Sequence, residues 1–179
     1  MPCPDSFRVR FETTRGDFVV EVMRAWSPNG ADRFHELVSA GYFADIAFFR
    51  VIKNFIAQFG IHGDPKVGAK WRDANIRDDK VVESNVRGTV SYAMAGPNTR
   101  SNQFFVNTRD NASLDRHGFS PFGRVVEGME AVDTLYADYG EGAPDGKGPA
   151  QHTFQAKGNA YLKEKFPKLD YVKKAALVE

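Results

Sequence analysis

Cysteine is nearly absent from this 179-residue sequence: Cys3 stands alone. An intrachain disulfide is therefore excluded, as is a metal cage built on cysteines. Neither sign of charge prevails. Lysine and arginine number 24 against 23 aspartates and glutamates, a formal net charge of +1, so the strongly basic face that nucleic-acid binding draws on is missing. No apolar run approaches the roughly 18 residues of a membrane-crossing helix. The opening MPCPDSFRVRF lacks the basic-then-apolar pattern of a secretory signal. A cytoplasmic location is expected on these grounds. A leader removed beforehand would leave the same start, which keeps the periplasm as the alternative.

The common catalytic signatures are also missing. His35, His62, His117 and His152 are scattered, whereas a zinc site wants ligands at fixed spacing, such as two histidines one helical turn apart. The glycine-rich stretch Gly140 to Pro149, GEGAPDGKGP, contains Lys147 but not the G-x-x-x-x-G-K-[ST] order of a phosphate loop. It is expected to be a flexible loop. Ser91, Ser101, Ser113 and Ser120 have no nucleophile-elbow motif around them, which disfavours covalent catalysis. Asn111-Ala112-Ser113 matches a glycosylation sequon, of consequence only in a eukaryotic secretory pathway.

What is present is the balance of a globular protein, 42% hydrophobic and 26% charged. The length suits a single domain over residues 1–179, with a core large enough to need no external staple. Fifteen phenylalanines point to a Phe-packed core or to an apolar pocket, and composition does not separate the two. FRVRFET, Phe7 to Thr13, alternates strictly and predicts a half-buried strand, joined through Thr14-Arg15-Gly16 to a second strand, DFVVEVM. Phe34, Leu37 and Val38 predict an amphipathic helix over Ala31–Ala40, stopped by Gly41. Phe48–Gly60 reads as two short strands or one bent strand, and residues 61–88 as a long irregular excursion. Strands follow at Thr89–Met94, Gln103–Thr108 and Phe122–Val126, then a helix over Gly128–Tyr136. Asn159–Phe166 predicts a short helix and Leu169–Val178 a closing strand. Many short strands with few helices favour a β-barrel or sandwich.

One stretch stands out. FFRVIKNFIAQFG, Phe48 to Gly60, is mostly apolar yet holds Arg50 and Gln58. Together with YAMAGPNTRSNQFFVNT (Tyr92–Thr108) and SLDRHGFSPFGRVVEGM (Ser113–Met129), it resembles the cyclophilin family of peptidyl-prolyl cis-trans isomerases. The pieces are F-x-R-V-I-x-x-F-I-x-Q, then M-A-G-P-N-T with Q-F-F, then S-L-D followed by F-G-R-V-V-E-G, in the family's order over roughly Phe7 to Tyr136. The resemblance implies a mainly β fold, a closed eight-stranded antiparallel β-barrel capped by two α-helices, with the cleft on the outer barrel surface. It suggests bacterial-like brevity, departing from it in an insertion-like segment at about 137–168 before the last strand.

The resemblance also implies a function: rotation about X-Pro peptide bonds, assisting protein folding, with no cofactor and no metal. Arg50, Phe55 and Gln58 would be the catalytic residues, Arg50 acting on the prolyl nitrogen and Gln58 orienting it. Phe55, Ile56, Phe105 and Leu114 would line a proline pocket. The backbone around Met94 and Ala95 would hold the peptide chain, with Gln103 beside the cleft and Phe119 at the rim. Partners would be proline-containing peptides and unfolded or folding proteins, bound by a monomer, with no nucleic acid and no membrane.

Three positions depart from the family's usual residues. Phe49 stands where many members have a histidine, Ser113 where many have a tryptophan, and Phe119 replaces a rim histidine, with His117 nearby. The loss of the tryptophan predicts weak cyclosporin binding. Two rival readings remain at this point: a proline-peptide binding module with little catalysis, and a structural domain whose tail from Ala137 docks a partner. The spacing adds a geometric condition. Arg50 to Phe55 is five positions and Phe55 to Gln58 three, so a straight strand would put each pair on opposite faces. For all three to meet one substrate, as the resemblance implies, the chain must bend or bulge near Asn54 and Phe55.

Overall fold

Alternation in FRVRFET becomes a strand with Val9 and Phe11 buried and Arg8 and Arg10 exposed. In the computed structural model, which describes residues 2–179, β1 (Ser6–Thr13) pairs antiparallel with β2 (Gly16–Met23). Thr13 faces Gly16, so Thr14 and Arg15 alone form the turn, and Gly16 takes the positive φ of 110° that closes it. Helix α1 (Pro28–Ser39) begins three residues before the predicted Ala31. Pro28 presets its first turn, and the carboxylate of Asp79 accepts hydrogen bonds from the amides of Asn29 (3.1 Å) and Gly30 (2.9 Å) and from the Ser27 hydroxyl (2.7 Å). A helix start is thus capped from a distant loop, which local pattern could not announce.

The short strands β3 (Ile46–Ala47), β4 (Arg50–Ile52) and β5 (Ile56–Phe59) come next. After helix α2 (Pro65–Arg72) come β6 (Thr89–Tyr92), β7 (Phe104–Asn107), β8 (Gly123–Glu127) and helix α3 (Met129–Asp133). The chain ends with α4 (Gln151–Lys157), α5 (Asn159–Lys165) and β9 (Tyr171–Val178). All strands join one sheet in the order β3-β9-β1-β2-β8-β6-β7-β5-β4. Its two edge strands, β3 and β4, are consecutive pieces of the chain from 46 to 52. Counted as one bent strand, they make eight strands and bring the curled sheet back on itself. Closure is approximate, because β3 pairs only with β9 and β4 only with β5, the covalent chain at Phe48-Phe49 linking them.

Eight phenylalanines (Phe11, Phe18, Phe34, Phe43, Phe48, Phe59, Phe104 and Phe122) fill the main core with Tyr92. Three others, Phe55, Phe105 and Phe119, line a surface cavity. The phenylalanine excess therefore serves core first and pocket second. A smaller cluster lies apart, built from Ala47, Phe49, Ile61, Phe154, Leu162 and Leu169.

Several expectations need correction. The predicted excursion over 61–88 contains α2, started by Asp64, whose side chain accepts from the Lys66 amide at 2.9 Å, and by Pro65. The predicted helix over Gly128–Tyr136 is only five residues long. Beyond Asp133 the amides of Thr134 and Leu135 donate three residues back, to Ala131 and Val132, and the Tyr136 amide turns to the Asp170 carboxylate at 2.7 Å. Within 137–168, α4 precedes the expected short helix. The glycine-rich stretch is closed on itself: the Gly148 amide donates to the Glu141 carbonyl at 2.8 Å, and the Ala143 amide to the Gly148 carbonyl at 3.0 Å. None of the helices is long and apolar enough to cross a membrane among the described residues.

Candidate active site

A straight strand through Asn54 would have separated Arg50, Phe55 and Gln58. The chain instead reverses. Ile52 pairs with Ile56, leaving Lys53, Asn54 and Phe55 as a three-residue hairpin loop, with Asn54 at φ 58°, the left-handed position such loops require and asparagine tolerates. Arg50 then lies directly opposite Gln58, and Gln58 opposite Phe105 on β7. Facing residues in a ladder project from the same side of a sheet, so the three form a row across β4, β5 and β7. The alternate row, Val51, Ala57, Val106 and Val90, points into the core. The polar residues in the apolar stretch are thus its outward set.

Phe55 sits in the hairpin loop, and its carbonyl accepts from the Thr108 amide (3.0 Å) and from Asn111 Nδ2 (3.0 Å). Behind it runs a buried polar network. Asn107 Nδ2 donates to Thr89 Oγ1 at 2.9 Å, and Asn111 Nδ2 also donates to Asn107 Oδ1 at 2.9 Å. These bonds satisfy buried amides and hold the loop that carries Phe55.

Arg50, Phe55, Ile56, Gln58, Ala93, Met94, Phe105, Leu114 and Phe119 enclose a cavity of about 250 Å³. Phe105 and Phe119 meet edge to face, centroids 5.6 Å apart. The cavity is apolar on one wall, while Arg50 and Gln58 bring polar groups to the other. Ala95 and Gln103 do not reach it. They line an adjoining recess of about 290 Å³ with Gln58, Ala93, Met94 and Thr99, and Gln151 and Gln155 from the 137–168 segment. Leu114 and the exposed Ser113 lie on a 3₁₀ turn over Ala112–His117, ended by Gly118 at φ 89°.

Arg50 is held from two sides. Its Nη1 donates to Gln58 Oε1 at 2.8 Å, and Gln58 Nε2 donates onward to Gln103 Oε1 at 2.9 Å. From the other side comes Glu141: Arg50 Nε donates to its Oε1 at 2.7 Å and Arg50 Nη2 to its Oε2 at 2.7 Å, a bidentate fork. Glu141 Oε1 also accepts from the Gly142 amide at 2.8 Å. The Arg50 bond, with that amide, holds the Glu141 carboxyl below its ordinary value against an opposing push from burial. Sequence reasoning missed Glu141 and Ala93. Ala93 could have been found from its place beside Met94. Glu141 lies in a stretch with no periodicity, 91 positions from Arg50, and no local signal ties the two. Among the described residues, no three or more His, Cys, Asp or Glu side chains gather where they could hold a metal ion.

The family model for "Cyclophilin type peptidyl-prolyl cis-trans isomerase/CLD" matches residues 8–153. The chain belongs to the cyclophilin family. As a cyclophilin it is a peptidyl-prolyl cis-trans isomerase. It is 37% identical over 134 residues to peptidyl-prolyl cis-trans isomerase CYP18-2 of Arabidopsis thaliana, covering 71% of this chain and 79% of that one. It is 33% identical over 133 residues to the human peptidyl-prolyl cis-trans isomerase-like 3, covering 71% and 80%. Among solved structures, a cyclophilin type peptidyl-prolyl cis-trans isomerase of Cryptosporidium parvum superposes with a TM-score of 0.70 at 22% identity, over 97% of this chain and 98% of that one. Crystals of that protein in the presence of the dipeptide Ala-Pro give 0.70 and 24%, covering 96% and 99%. At such identity these two structures speak for the cyclophilin fold alone.

Proposed function

We propose that this cyclophilin twists X-Pro bonds of peptides and unfolded chains seated in the 250 Å³ cavity, with Arg50 as the group that acts on the prolyl nitrogen. Resonance makes the barrier to rotation about 18–20 kcal/mol, and uncatalysed X-Pro exchange takes tens to hundreds of seconds. As the bond twists, the nitrogen regains its lone pair and becomes an acceptor. A donor aimed at it binds the twisted form better than either planar form, which is the condition for catalysis. Arginine fits because it keeps its charge when partly desolvated and presents several donors in one plane.

The observation that carries this reading is the row Arg50–Gln58–Phe105 beside the apolar wall of Phe55, Ile56, Met94, Leu114 and Phe119. The wall would hold the pyrrolidine ring still while Arg50 meets its nitrogen, and Gln58 would orient Arg50. The backbone at Met94 and Ala95, with Gln103, would take the chain beyond the ring. Exchange of an Ala-Pro peptide followed by NMR tests it: Arg50→Ala should lose most of the catalysed exchange while the peptide still binds. Equal, slow exchange by both proteins with binding retained would make the protein a proline-peptide binder instead. Ser113 offers a small exposed surface where many cyclophilins have a tryptophan, and weak cyclosporin inhibition is expected; tight inhibition in the same exchange assay would refute that.

A further inference from the structure

With Arg50 as the group that acts on the prolyl nitrogen, the donors it has left for a substrate become decisive, and the role of its neighbours rests on that reading. A guanidinium has five N–H bonds in a fixed plane. Three are taken. Glu141 accepts from Nε and Nη2, and Gln58 from Nη1. One N–H remains on each terminal nitrogen, so the group keeps a pair of donors for a substrate. Glu141 itself does not line the apolar cavity. It lines, with Phe49, Gly142, Asp145 and Pro149, a separate recess of about 340 Å³ on Arg50's other flank.

Glu141 is not a loose side chain that happens to reach an arginine. Its loop is closed by the hydrogen bonds from the Gly148 and Ala143 amides, and a Cβ at Gly146 would collide with the Glu141 carbonyl oxygen. Behind the loop, Phe154 of α4 packs on Phe49, centroids 5.5 Å apart, with Leu162 and Leu169 completing the cluster. Phe49 is thus the neighbour of Arg50 on one side of the chain and the seat of the 137–168 segment on the other.

We propose that Glu141 is a positioning residue for Arg50: it clamps the guanidinium side-on, so that the plane and the two free N–H groups are set before a prolyl peptide arrives. Gln58 alone contributes one bond about which the guanidinium can pivot; the bidentate fork removes that freedom. Arginine is otherwise rich in rotamer freedom, and ordering it beforehand spares that loss at the transition state. The pair is half open to solvent, 26% for Arg50 and 41% for Glu141, where ion pairs add little to stability. The effect belongs to catalysis.

The test uses the full chain, with exchange of an Ala-Pro peptide as the readout. Glu141→Ala should lower kcat/KM about tenfold, mainly through kcat, with peptide affinity changed less than about twofold and Tm within about 3 °C. Glu141→Gln, which keeps the shape and one acceptor, should fall between the two. The Arg50 Nε–H resonance should be slow to exchange in the wild type and fast in Glu141→Ala. In an Arg50→Ala background, Glu141→Ala should change nothing more, because it acts through the arginine. An unchanged or raised kcat/KM in Glu141→Ala would overturn the proposal, a rise meaning that Glu141 restrains Arg50. An additive loss in the double variant would equally overturn it. If Arg50→Ala alone retained full activity, the reading of Arg50 would fall first and the clamp with it.

Discussion

The two sides of Arg50 are built differently. On the barrel side, Gln58 holds it from a directly facing ladder position, is itself buried, and passes the bond on to Gln103. On the other side, Glu141 holds it with a charged fork from an irregular loop. Gln58 is placed by sheet register, which a core of phenylalanines enforces. Glu141 sits on a loop closed by its own backbone hydrogen bonds, beside a satellite cluster of six buried residues that is much smaller than the main core. Register leaves a side chain few choices, because a one-residue slip would turn every core residue outward. A loop has no such register to hold it; near this one, Phe49 and Phe154 pack together, ring centroids 5.5 Å apart.

Breaking the satellite cluster should have the largest effect. Phe154→Ala empties a fully buried site, and a loss of about 3–5 kcal/mol is expected in denaturant unfolding. If the clamp depends on that cluster, the same variant should also show the reduced kcat/KM of Glu141→Ala. Wild-type kinetics in a destabilised Phe154→Ala would separate the loop from its foundation. Next comes Arg50→Ala, expected to lower kcat/KM by about a hundredfold to a thousandfold, the scale on which one donor to a developing charge is worth. Both sides of the comparison then have nothing left to hold.

A smaller loss is expected from the barrel side. Gln58→Leu keeps the bulk but removes the acceptor for Arg50 and the donor to Gln103. About 1.5 kcal/mol, or tenfold in kcat/KM, should be lost. A Gln58→Leu loss well below that of Glu141→Ala would make the loop the stronger of the two supports. The smallest effect concerns pH. The Glu141 carboxyl is held below its ordinary value of 4.5, chiefly by Arg50. The clamp should therefore be fully present above pH 4.5 and lost as the pH falls through the lowered value. Arg50 and the exposed Asp145 are the charged groups that share this recess. Activity of the wild type should decline modestly on that acid limb, measured by NMR exchange, while Glu141→Gln should show no such limb.

Much of this molecule is legible in its sequence. The first hairpin comes from alternation and a glycine, because strand periodicity is local. The bend near Asn54 comes from the odd spacing of Arg50, Phe55 and Gln58, and it exists as a hairpin loop. The wall residues of the cavity came from resemblance, and the structure brings Phe55, Ile56, Met94, Phe105, Leu114 and Phe119 together there, with Ala95 and Gln103 in the next recess. Helix α2 was missed: its start signal, Asp64-Pro65, lies inside a stretch dominated by Gly, Asp and Asn. The shortness of α3 was not legible, and the chain just beyond it is held by Asp170 from across the molecule.

In the sequence, Phe49 and the insertion-like segment at about 137–168 read as two unrelated oddities. In the structure they meet, since Phe49 is the apolar floor on which Phe154 docks. By itself the sequence determined the first hairpin, most of the strands and the need for a bend near Asn54, because each depends on residues within a few positions of one another. Only the tertiary structure decided that Glu141 would meet Arg50. That contact spans 91 positions and starts from a loop with no period, so no local pattern could join the two residues.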